Sequence, residues 1–222
     1  MDPIAHSYSS VKDFEGCGRR YYNVRILRRF KQADTEATLY GTAVHKAFED
    51  FFMHGTPLPE AYQQYAPFVN PLKGLQGEVR CEEKMGVTVD FKPCGFYDEK
   101  VWLRGIPDYM CLNREKGVAH VADFKTGKSS RFADSKQLEL MAALIMTHHP
   151  EITKVKAALL FVVAGNVIKS AYTREGLPAI WASWAGRTMV IEEALVNGVW
   201  NPKPSGLCRF CPVPNTDCEY KR

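Results

Sequence analysis

The chain has 222 residues, of which 45% are hydrophobic and 24% are charged, and this balance predicts a globular protein with a buried core rather than a disordered chain. Its longest apolar stretches, such as residues 157–164, are far shorter than the roughly 20 residues that cross a membrane, so no transmembrane helix is expected. A net charge of +4 permits a polyanionic partner without requiring one.

The N-terminal region is polar and lacks the basic start and apolar run of a secretory signal, which predicts a cytoplasmic protein. Seven cysteines are an odd number in a chain without an export signal, and this argues against a full disulfide framework. Three of them, Cys208, Cys211 and Cys218, crowd the proline-rich C-terminal tail.

The first predicted element is a long helix. Serines at positions 7, 9 and 10 precede apolar residues at helical spacing, which predicts a capped helix from about residue 9 toward residue 29. Arginines alternate with aromatic residues in this segment, as a surface that tracks a nucleic-acid strand would require. The candidate DNA-binding residues are Arg19, Arg20, Tyr21 and Tyr22. A solvated helix face would explain the same charges.

A second amphipathic helix is predicted around residues 43–52, where His45 and Glu49 share one face. Prolines interrupt residues 55–71, so this segment is expected to be a loop or a short broken helix. His45 is therefore expected on a helix that precedes the β-rich region of the chain.

Residues 87–122 have the short apolar runs that are typical of a β-meander. Short apolar runs at residues 87–91, 101–103, 109–112 and 118–122 predict antiparallel strands. After them, a helix is predicted over residues 135–147. The apolar run 155–163 predicts a buried strand, and a last helix is predicted over residues 178–196. We expect one domain over residues 1–222, with an N-terminal helical region (residues 1–76), a central core (residues 77–200) and a cysteine-rich tail (residues 201–222).

Two carboxylates stand at the ends of consecutive predicted strands, where a hairpin would bring Asp108 and Asp123 side by side. Paired carboxylate oxygens are ligands for Mg²⁺ or Mn²⁺, ions that activate water and stabilise the charge on a phosphodiester during hydrolysis. Lys125 lies two residues beyond Asp123 and therefore points to the same face of its strand. Ordinary turn and surface charges are the alternative explanation.

Three further polar residues strengthen the hypothesis of one shared site. Glu82 lies on or just before the first strand of the meander, His45 on the preceding helix and Gln137 on the following helix. Because the strand register is uncertain by a residue or two, Glu78 and Glu83 remain alternatives to Glu82.

The order of these residues forms a series of motifs along the chain, namely Tyr8-Ser9-Ser10, Gly41-Thr42-Ala43-Val44-His45, Gly105-Ile106-Pro107-Asp108 and Asp123-Phe124-Lys125-Thr126-Gly127. The series resembles the RecB-like branch of the PD-(D/E)XK nucleases, which includes CRISPR-associated adaptation exonucleases and AddB-type nuclease domains. Gly18 stands where that family often has Pro, and Met141 takes the aromatic position of its Gln-x-x-x-Tyr motif, which starts here at Gln137.

The resemblance implies an α/β fold with an αβββαβ core and helical elaborations. It also implies metal-dependent cleavage of DNA, often by exonucleases that act on single strands or on DNA with free ends. The metal ligands that it implies are His45, Glu82, Asp108, Asp123 and Phe124, and the catalytic residues are Asp108, Asp123, Lys125 and Gln137.

The cysteines at the two ends of the chain predict a metal centre. Cys208-x-x-Cys211 is a spacing at which two thiolates bind one centre, and Cys218 is near enough to add a third. The family resemblance implies a structural [4Fe-4S] cluster held by these three and Cys17. A Zn²⁺ site or unligated thiols are the alternatives, and a non-catalytic nucleic-acid-binding module stabilised by such a centre is the alternative to a nuclease.

Overall fold

The computed structural model of the protein describes residues 4–131 and 133–221. They form two compact units. The first unit contains Glu36–Trp181 and the described residues before His6, and the second contains His6–Thr35 and the chain from residue 182 onward. Within the described residues, no helix combines the length and the apolar composition that a bilayer span requires. The single domain over residues 1–222 stays a prediction.

The secondary structure alternates helices and strands in the order expected of an α/β protein. The α-helices are α1 (Tyr8–Gly16), α2 (Gly18–Tyr21), α3 (Glu36–Met53), α4 (Ala66–Lys73), α5 (Lys136–His148) and α6 (Leu177–Asn197). The strands are β1 (His6–Ser7), β2 (Glu78–Arg80), β3 (Met85–Val87), β4 (Pro93–Cys94), β5 (Leu103–Gly105), β6 (Tyr109–Asn113), β7 (Val118–Lys125), β8 (Lys154–Phe161) and β9 (Asn166–Thr173). A π-helix spans Tyr22–Ile26, and 3₁₀ turns span Glu60–Tyr65, Arg174–Gly176 and Gly206–Phe210.

The central sheet of the first unit has the strand order β2-β6-β7-β8-β9. Its strands pair antiparallel except β7 and β8, which are parallel and are connected through α5. The order α3, β2, β6, β7, α5, β8 is the expected αβββαβ core, which confirms the predicted fold class. Strands β3, β4 and β5 pair antiparallel in a separate small sheet inserted between β2 and β6.

Helices pack on both faces of the central sheet at strands β6 and β7, which are buried along most of their length. On one face, Val44 and Phe48 of α3 pack with Ala122 and Phe124 of β7 in an aromatic-rich cluster. On the other, α5 contributes an unbroken run of buried residues from Leu140 to Met146. Burying these side chains stabilises the sheet by roughly 1.5–3 kcal/mol for each large apolar residue. The core therefore holds β7, and the residues at its end, in a fixed position.

Several predicted elements agree with the structure and others were wrong. The helix over residues 135–147, the strands at residues 109–112 and 118–122, and the last helix are confirmed. The predicted strand 87–91 was wrong, because the chain turns after Val87 and Phe91 adopts a left-handed φ of 58°. Strand β9 was not predicted, because its alternating exposed and half-buried residues carry no continuous apolar run.

The predicted long N-terminal helix was also wrong in extent, since it breaks at Cys17. This residue is extended, with a φ of −171°, and its Sγ accepts a hydrogen bond from the backbone N–H of Arg20 to cap α2. Ser7 caps α1 in a capping box with Ser10. Trp200 stacks on Tyr22 with ring centroids 4.8 Å apart, so aromatic packing joins the two chain segments of the second unit.

Candidate active site and thiol cluster

The candidate active site begins where β6 and β7 meet. Tyr109 pairs with Ala122 in the antiparallel ladder, so Asp108 and Asp123 occupy neighbouring positions at the same end of the two strands. Oδ2 of Asp108 accepts a 2.7 Å hydrogen bond from the backbone N–H of Phe124, which holds its carboxylate against β7. The hairpin that the sequence predicts thus brings the two aspartates together.

Helix α3 contributes His45 to the same place. Its Nε2 lies 2.9 Å from the carbonyl oxygen of Phe124, and its Nδ1 lies 3.5 Å from Oδ1 of Asp108. Phe124 therefore contributes its backbone carbonyl group to the site, while its ring is buried in the core against Phe48. Because α3 packs on β7 through that core, the imidazole position follows from the packing.

Glu82 reaches the site from the connection between β2 and β3. Its φ of 53° is in the left-handed region, which is uncommon for a non-glycine residue and costs free energy that the surrounding structure must offset. Ligand atoms of His45, Glu82 and Asp108 lie within 4.8 Å of one another. Glu78 and Glu83, the alternatives in the sequence, form ion pairs with Arg80 instead.

Asp123, Lys125 and Gln137 form a connected polar network beside these residues. Nζ of Lys125 lies 2.6 Å from Oδ2 of Asp123 and donates a 2.9 Å hydrogen bond to Oε1 of Gln137. Nε2 of Gln137 in turn donates to Oδ1 of Asp123. The network places one ammonium group next to a carboxylate that is only 4% exposed. Met141 lies one turn beyond Gln137 in the buried face of α5.

The clustered charges shift the pKa values of several residues of the site. Burial, together with the negative charge of Asp108, raises the pKa of Asp123 despite the opposing effect of Lys125. Burial also raises the pKa of Glu82, and Asp108 raises it further. Burial alone would lower the pKa of His45, but the hydrogen bond to Asp108 and the nearby aspartate charges outweigh it, so the pKa is raised.

These shifts describe a site with more negative charge than its own cations neutralise. Oδ2 of Asp123 is buried and accepts no hydrogen bond of good geometry among the described residues, although Lys125 lies near it. Carboxylate oxygens with one imidazole nitrogen are donors for hard or borderline divalent ions such as Mg²⁺ and Mn²⁺. The donor set therefore fits a divalent cation.

A cleft of about 1240 Å³ lies in front of the site. Sequence reasoning did not assign Tyr40, Lys46 or Lys128, which line it. The hydroxyl of Tyr40 lies 2.6 Å from that of Tyr65, and this hydrogen bond raises the pKa of Tyr40 to about 12. Tyr40 lies five residues before His45 on α3, and this spacing gave no signal in the sequence, because only residues three or four apart share a helix face.

The four predicted cluster cysteines lie in the second unit. All four, Cys17, Cys208, Cys211 and Cys218, line one cavity of about 460 Å³. Backbone N–H groups of Arg20 and Lys203 donate to Sγ of Cys17. None of the seven cysteines, all of which lie among the described residues, forms a disulfide. The fold thus gathers the four predicted sulfurs around one cavity, and the identity of their centre stays a prediction.

The candidate DNA-binding residues have partners within the second unit. Arg20 forms a 2.7 Å ion pair with Asp13, and Arg19 lies 3.6 Å from Glu219. Tyr21 is 1% exposed, and Tyr22 stacks on Trp200. Their predicted role in DNA binding is untested, and the geometry leaves little free aromatic surface for bases at these two tyrosines.

Comparison with known proteins gives a consistent family and fold. The family model described as "PD-(D/E)XK nuclease superfamily" matches residues 5–216. A solved structure described as a "Putative exonuclease" from Eubacterium rectale superimposes with a TM-score of 0.56 at 16% identity, covering 94% of this chain and 88% of that one. The crystal structure of SSO0001 superimposes with a TM-score of 0.51 at 13% identity, covering 100% and 88%. Comparison with curated proteins found no match.

Proposed function

The chain belongs to the PD-(D/E)XK nuclease superfamily, and we propose that it is a DNA exonuclease that hydrolyses single-stranded or end-containing DNA with Mg²⁺ or Mn²⁺. The observation that carries this proposal is the convergence of His45, Glu82 and Asp108 within 4.8 Å, next to the Asp123 and Lys125 pair. A protein that only binds DNA has no physical need for clustered acids facing a phosphate chain, because carboxylates repel phosphates unless a cation lies between them.

The residues of this chain divide the work of hydrolysis between them. A bound divalent ion would supply Lewis acidity and a water molecule of lowered pKa. His45, Glu82, Asp108 and Asp123 would hold that ion, and the carbonyl oxygen of Phe124 lies beside His45 at the same place. The ammonium group of Lys125 faces the developing negative charge of the scissile phosphate.

Gln137 is a positioning residue in this mechanism. Its amide bridges Lys125 and Asp123, so it fixes the ammonium and the carboxylate relative to each other. Such prior orientation avoids reorganisation during the reaction, which is the main source of electrostatic catalysis. The fixed position of the ammonium relative to the carboxylate depends on α5, because Gln137 lies in the first turn of that helix.

The preference for DNA with free ends is supported by the family resemblance and by the description of the Eubacterium rectale neighbour. The test is to incubate the purified protein with end-labelled single-stranded and double-stranded DNA in Mg²⁺, Mn²⁺ or chelator. We expect metal-dependent loss of single strands in steps of one or a few nucleotides. Closed circular single strands, which lack ends, should survive. Binding without strand loss in either metal would instead favour the non-catalytic alternative.

We further propose that Cys17, Cys208, Cys211 and Cys218 hold a structural [4Fe-4S] cluster. The supporting observations are that all four cysteines line one cavity of about 460 Å³ and that Cys208-x-x-Cys211 has the spacing at which two thiolates bind one centre. A Zn²⁺ ion at the same thiolates is the alternative. Anaerobic purification with an absorption spectrum and metal analysis tests the proposal, and stoichiometric zinc in a colourless protein would contradict it.

A further inference from the structure

A second groove of about 700 Å³ opens in the first unit, between α4 and the starts of β7 and β8. Its floor is apolar and includes Phe68 and Leu75, and no Asp or Glu lines it. Four basic residues line it, namely His120, Lys154, Lys156 and Lys169. We call this feature the lysine groove. It lies at the opposite end of β7 from the candidate active site, because Asp123 and Lys125 come at the end of that strand.

The sheet register explains why the basic residues gather. His120 and Lys156 are paired neighbours on β7 and β8. Lys154 lies two residues before Lys156 and so points to the same face, at a separation of about 6.6 Å along the strand. Lys169 pairs with Ala158, two residues beyond Lys156 on that face. The result is a patch of positive charge with fixed spacing on a rigid sheet.

These lysines have no competing partners among the described residues. Lys154, Lys156 and Lys169 are exposed, and within residues 4–131 and 133–221 their side chains form no ion pair or hydrogen bond. Arg80 and Arg114, by comparison, both pair with Glu78. Nδ1 of His120 is buried and has no hydrogen-bond partner among the described residues. The groove therefore offers positive charge and hydrogen-bond donors to a ligand.

We propose that the lysine groove binds the phosphate backbone of the single strand on which the active site acts, several nucleotides from the scissile phosphate. Ammonium groups that neutralise phosphates release counterions, and an apolar floor with an aromatic ring accepts bases without sequence preference. His120 lies three residues before Asp123 on β7, so the two residues are about 10 Å apart along the strand and their side chains point to opposite faces of the sheet. A short oligonucleotide in the cleft would therefore leave the groove empty.

This inference rests on the proposed function. The positive charge of the lysine groove suits either a nucleic acid or an acidic protein segment, and the proposed DNA substrate favours the nucleic acid. The test is equilibrium binding of single-stranded oligonucleotides of increasing length, by fluorescence anisotropy in chelator so that no cleavage occurs. The double variant Lys156→Glu/Lys169→Glu is compared with Lys92→Glu/Lys100→Glu, which makes the same charge change at two exposed lysines outside the groove. Lys156→Gln/Lys169→Gln removes the charge without introducing repulsion.

We expect the groove variants to bind long strands on the order of tenfold more weakly than the control, and short strands equally well. The slope of log K against log salt should fall by about 1.4 in magnitude for long strands, from roughly 0.7 for each lost phosphate contact. Equal affinity and equal slope in groove and control variants at every length would overturn the inference. Loss of binding to a glutamate-rich peptide, with DNA binding unchanged, would overturn it in favour of a protein partner.

The two proposals can fail separately. If the wild type degrades DNA but the groove variants bind like the control, only the groove assignment is wrong. If the wild type cleaves no DNA in Mg²⁺ or Mn²⁺, the proposed function is wrong, and binding in chelator still reports whether the groove holds a strand. Matching thermal unfolding of all three double variants shows that the fold is retained.

Discussion

The two units carry two sets of candidate ligands that the chain assembles in different ways. In the first unit, donor atoms of His45, Glu82 and Asp108 already lie within 4.8 Å, and hydrogen bonds to the backbone of β7 hold His45 and Asp108 in place. In the second unit, cysteines from opposite ends of the chain line one cavity. Within the described residues, no three of their sulfurs lie that close together.

This difference indicates that the thiol site depends on its ligand for an ordered structure, whereas the acidic site does not. A β-ladder and a packed helix determine the acidic set, so its repulsive charges are held together by the folding of the core. The thiols lie on a short helix and an irregular tail, and segments of this kind fray unless something ties them down. The proposed metal centre would supply that constraint, because its binding free energy would become folding free energy. We therefore expect variants of the two sets to affect different properties.

The largest effect is expected in the acidic set. Asp108→Ala and Asp123→Ala should each reduce the cleavage rate by roughly a thousandfold or more, because losing a ligand removes several kcal/mol of charge stabilisation. Unfolding temperature and DNA affinity in chelator should stay the same or rise. Asp90→Ala, at an exposed turn, serves as the control for loss of one carboxylate. Normal turnover in either site variant would refute the assignment.

Lys125→Ala should lower the rate by about 10²-fold while Mn²⁺ affinity changes little, since the ammonium acts on developing charge. Gln137→Ala should lower it less, because it removes only the positioning of that ammonium. Single-turnover rates and calorimetric titration with Mn²⁺ measure the two quantities. Equal losses of rate and metal affinity for Lys125→Ala would make the lysine a structural support instead.

The pH dependence should report His45. A histidine must be neutral to bind a metal ion, and the pKa of His45 is raised from 6.5, so activity should fall as pH decreases through that raised pKa. The expected loss is about tenfold for each pH unit below it. Because the pKa of Asp123 is also raised, His45→Gln should weaken this dependence, and His54→Gln, an exposed histidine just after α3, should leave it unchanged.

The metal-free protein should respond to pH in the opposite direction. Protonated His45 pairs with Asp108, so this contribution to stability is fully present below the ordinary histidine pKa and is lost as pH rises through the raised value. Unfolding in chelator as a function of pH measures it. A stability contribution that instead increases with pH in this range would contradict the proposed charge state.

The thiol set should affect stability before activity. Cys208→Ser should remove the iron and lower the unfolding temperature by roughly 5 °C or more, which corresponds to about 2 kcal/mol in a protein of this size. Cleavage below the unfolding temperature should continue. Cys94→Ser, a half-buried cysteine of the first unit, is the matched control. If Cys208→Ser retains full iron content, the cluster assignment is wrong.

The smallest effect is expected at the start of α1. Ser7→Ala removes the side chain that caps the helix and should cost about 1 kcal/mol. Iron content and activity should be unchanged, because this cap lies outside both ligand sets. Ser7→Asp should restore the stability. A loss of iron in Ser7→Ala would link helix capping to the thiol cavity and weaken the distinction between the two units.

The local motifs were predictable because short-range chemistry determines them. Asp108 lies just before β6, Asp123 follows the apolar run of β7, and Lys125 shares the face of Asp123 through the period of two. The turn after Val87 was not predicted, because Thr88, Val89 and Phe91 have good β propensity. Local hydrogen bonds close the turn, among them one from the backbone N–H of Phe91 to the carbonyl oxygen of Thr88. Strand β9 was missed for the complementary reason that an edge strand needs little apolar surface.

The sequence by itself determined the family motifs, the paired aspartates and the spacing of the terminal cysteines, since each depends on residues that are close along the chain. Only the tertiary structure decided that Glu82, rather than Glu78 or Glu83, lies with a ligand atom within 4.8 Å of ligand atoms of His45 and Asp108. It also decided that the lysines of β8 and β9 gather beside an apolar groove. Both outcomes depend on strand register, which long-range packing sets.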